Sequence, residues 1–335
     1  MTRRQHGFTL IELMVSMVLG LLIIGGATSV ILANRESYRT NEALSQVQES
    51  GRTAYELLAR NVREAGISGC NSTGRMANVL DTGSGTRWWQ TWFGIAGYEG
   101  SQVSPAIPTS SAVGERVAGT DSITLQGIQG TGLSVETHDP TSANFKINAT
   151  TTDFAPNDVL IVCDFDHAAI VQVTNYNSSN VTVVHNTGGG VATPGNCSKG
   201  LGYPTDCTST TGNSYAFGPN SQIAHFSAVA WYIGNNGRAS EGGRSLYRRR
   251  MGGAAAILTE EVVAGVTNMD LQYREQGVSD FRDANAVVNW SNVNAVMITL
   301  TLTSADQRVT PDTSVNEGRV QRRFTNIVTL RNRVP

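Results

Sequence analysis

The longest hydrophobic stretch of the chain begins close to its first residue. Leu13–Ala33 is a run of 21 residues without a charged side chain. As a helix it would extend about 32 Å, enough to cross a bilayer. Arg3 and Arg4 precede the run, and one carboxylate, Glu12, stands at its start. A charge in lipid costs roughly a few kcal/mol, so Glu12 is a candidate functional residue.

A helical pattern continues beyond the apolar run. Apolar or small residues recur at spacings of three and four and form one stripe: Leu44, Val47, Gly51, Ala54, Leu58, Val62 and Ala65. No proline occurs before Pro105, and Gly66 is a suitable stop signal. The pattern predicts one helix over residues 8–65, about 87 Å long. Its first part, 8–33, is apolar, and its second part, 34–66, is amphipathic and lays one face on a globular domain.

Short apolar segments separated by turn-forming residues follow the helix, which is typical of β-strands. The predicted strands are Ser122–Gln126, Asp158–Val162, Ile170–Thr174, Val181–His185, Ile223–Ile233, Ser245–Arg249, Met269–Tyr273, Val293–Thr303 and Val320–Leu330. Residues 176–180 are predicted to form a hairpin loop, and 186–218 a surface loop. The predicted fold class is therefore α+β: a long N-terminal helix packed on a large antiparallel β-rich domain over 67–335, with inserted loops at about 75–220.

Charge gives little indication of a charged partner. The net charge is −2 and only 16% of residues are charged, so no nucleic acid is expected as a partner. Arg248–Arg250 form a short basic run on a predicted strand, which we interpret as a solvated edge that discourages strand pairing. Trp88, Trp89, Trp92 and Phe93 are interpreted as a hydrophobic cluster that pins a glycine-rich segment. An exposed partner-binding patch is the alternative.

Catalytic chemistry is weakly represented. The sequence has no G-x-S-x-G motif, phosphate-binding loop or H-E-x-x-H motif. Asp164, Asp166 and His167 lie close together, but the other ligands of a calcium loop are missing, and a turn after a strand explains them better. We expect no metal, no cofactor and no enzymatic activity.

The segment GFTLIEL at residues 7–13, behind the basic leader, resembles the processing site of type IV prepilins. The resemblance implies that a prepilin peptidase removes the leader, residues 1–7, by cutting between Gly7 and Phe8. It also implies that Phe8 becomes the N-methylated first residue. Glu12 would then meet the free N-terminal amine of a neighbouring subunit.

Two other interpretations fit this N-terminus less well. A secretory signal peptide would have an apolar core of 7–15 residues and an A-x-A-like cleavage site after it. Here the run is longer and Asn34-Arg35-Glu36 follows it. A plain membrane anchor would account for the length but not for GFTLIEL as a unit.

The rest of the chain resembles the PilW group of minor pilins and, more weakly, the J-type minor pseudopilins of type II secretion. The similarity rests on Glu49–Arg52, Gly69-Cys70, Val263–Met269, Tyr273, Trp290 and Arg322–Arg333. It implies a low-copy subunit that primes pilus assembly and stays in a complex at the tip. The implied partners are other minor pilins, a large tip adhesin and the inner-membrane assembly platform.

The resemblance also implies a location. The chain would be held in the bacterial inner membrane with its globular domain in the periplasm, and would then move to the pilus tip. The resemblance implies a pilus that serves cell adhesion, twitching motility or DNA uptake, and does not distinguish among them. The alternatives are a minor pseudopilin of a type II secretion system and a membrane-anchored periplasmic enzyme or binding domain.

Four cysteines, in a domain expected to mature outside the cytoplasm, are expected to form disulfides. Four cysteines allow three connectivities. Cys197 and Cys207 share one loop and are the easiest pair to close, which leaves Cys70 with Cys163. No C-x-x-C spacing suggests zinc.

Overall fold

The computed structural model describes residues 9–66, 70, 75–83, 87–187, 193–331 and 333. Its first element is one helix, α1 (Leu10–Glu64), of 55 residues, about 82 Å long. Gly66 follows the helix with a φ of +74°, a left-handed conformation that favours glycine. The predicted long helix is confirmed. Phe8, its predicted first residue, lies outside the described residues.

The predicted stripe of small and apolar residues is the buried face of α1. The stripe members Val47, Gly51, Ala54, Leu58 and Val62 are buried and Leu44 is half-buried, while Ala43 and Ala59, which were not predicted, are also buried. Near the end of the helix, the indole Nε1 of Trp231 donates a hydrogen bond of 3.0 Å to Asn61 Oδ1. The opposite face carries ion pairs such as Arg52–Glu56, which is exposed and contributes little to stability.

Fifteen strands are described after the helix. They are β1 (Met76–Asn78), β2 (Ile95–Tyr98), β3 (Ser122–Asp139), β4 (Asn144–Ile147), β5 (Val159–Cys163), β6 (Ala168–Gln172), β7 (Asn175–Asn177), β8 (Thr182–Val184), β9 (Gln222–Asn235), β10 (Arg244–Met251), β11 (Ile257–Ala264), β12 (Val266–Glu275), β13 (Arg282–Asp283), β14 (Val293–Thr303) and β15 (Gln321–Thr329). All the strand pairs are antiparallel except β1 with β6. The α+β fold class is thus confirmed.

The strands form two sheets. The larger has the order β1-β6-β5-β9-β3-β4-β8-β7, with β10 and β11 continuing from β9 and β2 pairing with β3. The smaller has the order β13-β12-β14-β15. The main hydrophobic core joins α1 to both sheets, since it contains Leu58 from the helix, Trp231 from β9 and Leu300 from β14.

Asp121, just before β3, links the two sheets. Its N–H donates to Met269 O at 3.1 Å, while its carboxylate accepts from Leu271 N at 2.8 Å and Gly100 N at 3.0 Å. Burial raises the pKa of Asp121 to about 6, although both N–H groups favour its charged form. Beside it, the buried ring of Tyr273 on β12 lies against Gly97 on β2. The sheets therefore meet through a polar bridge and a close backbone–ring contact.

The region 75–220, in which four strands and inserted loops were predicted, has more regular structure than expected. It contains β1–β8 and a core cluster that includes Phe145, Leu160 and Val183. Strands β2, β4 and β7 escaped prediction because they have only three or four residues, too few to show alternation. The predicted strand Ser122–Gln126 is only the start of β3, which continues through three glycines before ending at Asp139.

Two predicted loops also need correction. Of the expected hairpin loop at 176–180, Tyr176 and Asn177 belong to β7, which pairs with β8. The described part of 186–218 is irregular, but it is not purely a surface loop, because Leu201 and Phe217 are buried in the core beside β5 and β6. Neither residue stands in a periodic pattern that would reveal its burial.

The prediction that Arg248–Arg250 mark an exposed sheet edge is wrong. They lie on β10, which pairs with β9 on one side and β11 on the other. Arg248 and Arg250 project on the same face and both bind the carboxylate of Glu260 on β11, at 2.6 and 2.8 Å. The charges on this strand thus make a cross-strand clamp that favours pairing.

The tryptophan cluster packs inward. Trp89 is fully buried, and its ring centroid lies 6.4 Å from that of Phe226 on β9. Trp92 contacts the same phenyl ring at 6.3 Å. This arrangement agrees with the interpretation as a hydrophobic cluster that pins its segment to the larger sheet.

Gly97→Ala tests the contact between the sheets. A Cβ at this position would lie 2.1 Å from Tyr273 Oη and 2.3 Å from its Cζ, so the ring must move. We expect a loss of about 1–3 kcal/mol in the free energy of unfolding, typical of overpacking, measured by denaturant unfolding of the full chain in detergent. Gly130→Ala is the control, because a Cβ there meets no atom within 4 Å. Equal stability of the two variants would contradict the proposed close packing.

Candidate functional site: the projecting half of the N-terminal helix

The first half of α1 extends away from the β domain. Its large apolar side chains from Leu10 to Leu32 are all exposed. The first side chains that bond to the domain are Arg39, to Gln307 O at 3.2 Å, and Thr40, to Val309 O at 2.8 Å. About 44 Å of helix, Leu10 to Tyr38, therefore projects without support from the domain.

This projecting half can cross a bilayer by length and composition. Its most apolar window has a mean hydropathy of 2.3 and no buried residue. Among the described residues, no other helix meets the same criteria. Exposure of so apolar a surface to water is unfavourable, because burial of apolar area in an apolar environment lowers the free energy. The surface is therefore expected to contact lipid or other apolar helices.

Three glycines occur in this half, and the helix is continuous through them. A Cβ at Gly20, Gly25 or Gly26 would meet no atom within 4 Å. Their small size therefore serves no contact with the other described residues. It does leave a shallow surface on which another helix can approach closely.

Glu12 takes part in a capping box at the start of α1. Its backbone N–H donates to Thr9 Oγ1 at 3.3 Å, and its Oε2 accepts from Thr9 N at 3.0 Å. Thr9 Oγ1 also donates to Oε2 at 2.9 Å. These bonds satisfy two backbone groups that a helix start leaves free.

The sequence analysis missed this local role of Glu12. The signal was present, since Thr9-Leu10-Ile11-Glu12 has the Thr-x-x-Glu spacing of a capping box. The capping bonds use Oε2, whereas Oε1 hydrogen-bonds to no residue within the described ranges. Gly7 and Phe8, the predicted cleavage and methylation sites, lie outside those ranges.

The other end of α1 is fixed to the domain by a covalent bond. Cys70, four residues after Gly66, forms a disulfide with Cys163 at the end of β5. The second disulfide joins Cys197 to Cys207. Both are the pairs expected from the sequence. The chain-entropy account gives roughly 5 kcal/mol for a loop as long as the first and about 3 kcal/mol for the second.

Arg333 is a further residue at this end of the helix that the sequence analysis did not single out. Its Nη1 donates to Trp290 O at 2.7 Å and to Val293 O at 3.1 Å. Its guanidinium lies against Gly66 and Gly94, where any Cβ would approach it within about 3 Å. The C-terminal segment thus closes over the point where the helix ends.

The cluster of Asp164, Asp166 and His167 is a turn, as predicted. Asp164 Oδ1 accepts the N–H groups of Asp166 and His167 at 2.9 and 2.8 Å. His167 Nε2 accepts the N–H of Tyr203 at 2.8 Å, so its basic nitrogen is already occupied. No group of three or more possible metal ligands occurs in the described part of the chain.

Two other histidines, His138 and His185, contact each other and are both neutral. Phe217 N donates to His138 Nδ1 at 3.1 Å, which places the proton of His138 on Nε2. That proton points at His185 Nε2, 3.3 Å away, so His185 carries its proton on Nδ1. Burial lowers the pKa of His138 to about 4 and that of His185 to about 3. Because His138 Nδ1 already accepts a bond, this pair is a structural contact.

Comparison with known proteins identifies the N-terminal segment. Residues 2–28 match the model of the prokaryotic N-terminal methylation motif. No curated protein and no solved structure matches the chain. The motif match supports the type IV pilin and pseudopilin family, and with it processing by a prepilin peptidase and anchoring by the apolar helix.

The histidine pair should make the folded state less stable at acidic pH. Both pKa values lie below the value of about 6.5 in an unfolded chain, so the unfolded state binds protons first as the pH falls. The pair's stabilising effect is complete above about pH 6.5 and is lost as the pH falls towards 3. Nearby Asp139 partly opposes the shift of His138, and Lys199 adds to that of His185.

The measurement is the free energy of unfolding between pH 7 and pH 4. His138→Gln keeps a neutral acceptor and donor but removes one titrating group, so we expect a shallower loss of stability on acidification. His225→Gln, in a histidine outside the pair, is the control. Identical pH profiles for wild type and His138→Gln would contradict this account.

Proposed function

We propose that this chain is a PilW-like minor pilin, a non-enzymatic subunit that primes type IV pilus assembly and remains in the tip complex. The observation that carries the proposal is the methylation motif at residues 2–28 running directly into a projecting apolar helix. The large β domain and the similarity of its C-terminal third support the minor-pilin class. Other minor pilins, a tip adhesin and the inner-membrane assembly platform are the proposed partners.

The geometry of α1 suits both environments that the proposal requires. Before assembly, Leu13–Ala33 would lie in the inner membrane, with the β domain on the periplasmic side. During assembly the same apolar surface would pack against the helices of neighbouring subunits. The three glycines would permit close approach there, as small residues do between membrane helices.

Glu12 would determine how far neighbouring helices slide along one another. A lone carboxylate among packed apolar helices is costly unless it is paired. The amine of a processed Phe8 on an adjacent subunit is a suitable partner. Glu12 Oε1 has no described hydrogen bond, so it could accept from that amine while Oε2 keeps its bonds to Thr9.

Processing is the first test. Gly7 has no side chain, which would allow the peptidase to approach the backbone closely. We expect mass spectrometry of the mature protein to find N-methylated Phe8 as the first residue. Gly7→Val should leave the leader attached to a membrane-bound protein. A mature chain that begins at Met1, or beyond Ala33, would refute the prepilin assignment.

Glu12→Ala tests the assembly role. We expect expression, cleavage and the β domain to be intact, while co-purification with other minor pilins and the number of surface pili fall sharply. Thr9→Ala is the matched control, because it breaks the capping box but keeps the carboxylate. If Glu12 served only as a cap, both variants would be equally impaired. Normal co-purification and piliation in Glu12→Ala would disprove the pairing.

A further inference from the structure

Strand β15 forms a long, regular and open edge of the smaller sheet. It is the last strand in the order β13-β12-β14-β15, and among the described strands it pairs with β14 alone. The ladder runs through nine consecutive pairs, from Ala295–Thr329 to Thr303–Gln321, without a bulge. The strand contains no proline and no lysine. It thus lacks a proline or a bulge that would prevent pairing, and its charges, Arg322 and Arg323, would repel a basic strand but not an acidic one.

The other sheet edges are less available. Strands β1 and β7 have three residues each, and β13 has two. Strand β11 is longer, but its pairing with β10 contains a register shift, and Glu260 and Glu261 on it are already engaged by arginines. Among the described strands, β15 therefore offers the longest uninterrupted edge.

The peptide groups that face outwards from β15 can be assigned from its ladder. Leu330 N donates to Asn294 O, and Ser304 N donates to Val320 O. Because antiparallel residues alternate in direction, even-numbered residues from 322 to 328 bond to β14, and odd-numbered residues from 321 to 329 face outwards. Helix α1 occupies two groups along this outer side, since Tyr55 Oη reaches Ile327 O at 3.5 Å and Arg331 N donates to Arg63 O.

The N–H and C=O groups of Arg323 and Thr325 stay open, together with the N–H of Ile327. Within the described ranges none of them has a hydrogen-bond partner. The side chains along this stretch are exposed except that of Phe324, which packs on Gly51 of α1. A short strand could therefore add here without displacing any part of the domain.

The edge is also strongly basic. From Arg319 to the last residue of the sequence there are five arginines and no acidic residue, although the whole chain has a net charge of −2. Arg322, Arg323 and Arg331 are exposed, and within the part of the chain that the structure describes only Arg323 has an acidic partner, Asp270 at 3.1 Å. A segment that carries carboxylates would be attracted to this edge, and a basic one repelled.

We propose that β15 is a docking edge that binds an extended, acidic segment of another pilin-type subunit as an additional β-strand. The main-chain bonds at Arg323 and Thr325 would supply the pairing, and the exposed arginines would select an acidic partner. The occupant is a subunit because the edge runs beside α1. A neighbour whose helix packs along α1 carries its own domain past β15. The inference rests on the proposed pilin function.

Amide hydrogen exchange tests this proposal through a pattern that no other contact produces. The sample is the full chain in detergent, alone and mixed with purified pilin-motif proteins of the same organism. We expect the amides of Arg323, Thr325 and Ile327 to exchange at least about tenfold more slowly in the complex. The amides of Phe324 and Asn326, which already bond to β14, should be protected in both samples.

A pair of variants at one position isolates the backbone contribution. Thr325→Pro removes an outward N–H and keeps the main-chain bonds to β14, whereas Thr325→Val keeps that N–H. Both variants lose the hydroxyl bond of Thr325 to Thr299 on β14, so the valine variant controls for that loss. We expect the proline variant to lose the protection and to bind its partner at least about tenfold more weakly, and the valine variant to behave as wild type. Near-UV circular dichroism checks that both variants are folded.

Charge reversal tests the partner's chemistry. Arg322→Glu should weaken the complex, while Arg308→Glu, in an exposed arginine of the loop between β14 and β15, should not. Equal binding by these two variants would show that the partner is not selected for acidity and would overturn that part of the proposal.

The remaining outcomes also decide the question. A complex that forms without protecting Arg323 and Thr325 would overturn the docking edge and leave the minor-pilin role intact. Protection that appears in the isolated chain and rises with its concentration would mean that β15 pairs with a second copy. Failure to form any complex with pilin-type proteins would refute both the docking edge and the proposed function.

Discussion

The packing of one helix face against both sheets is the contact on which the structure depends. The face is made largely of small residues, among them Ala43, Gly51, Ala54 and Ala59, which allow the helix backbone to lie close to the strands. At Gly51 the ring of Phe324 occupies the space that a Cβ would need. Without this contact between helix and sheets, the amphipathic half of α1 would lose its only hydrophobic partner in the described chain. The two sheets would also lose their shared core.

The same contact explains why the projecting half of α1 can remain so apolar. The second half of α1 holds the helix on the domain through burial, the ring contact at Gly51 and the bond from Trp231 to Asn61. The disulfide at Cys70 fixes the segment that follows. The first half therefore does not contribute to the stability of the domain. Its apolar surface can instead match lipid and other helices. One helix thus has two partners, and the change from one to the other falls near Arg39.

Much of the fold follows from local patterns. The stripe from Leu44 to Ala65 predicted the buried face of α1, and the alternation in Val293–Thr303 gave β14 with the observed bounds. Short strands such as β4 and β7 were missed because three or four residues do not establish a period. The prediction that Arg248–Arg250 lie at a sheet edge failed for a different reason. A sequence shows that a strand is charged, but whether it lies at an edge depends on which strand pairs beside it.

The candidate site divides in the same way. The sequence alone determined the long apolar helix, the motif before it and the carboxylate within it, because each depends on residues close together in the chain. Tertiary structure decided the rest: that Asp121 joins the sheets, and that β15 is an open basic edge. These features arise from residues far apart in sequence, such as Asp121 with Leu271, whose proximity is set by how the two sheets pack. No local pattern records that distance.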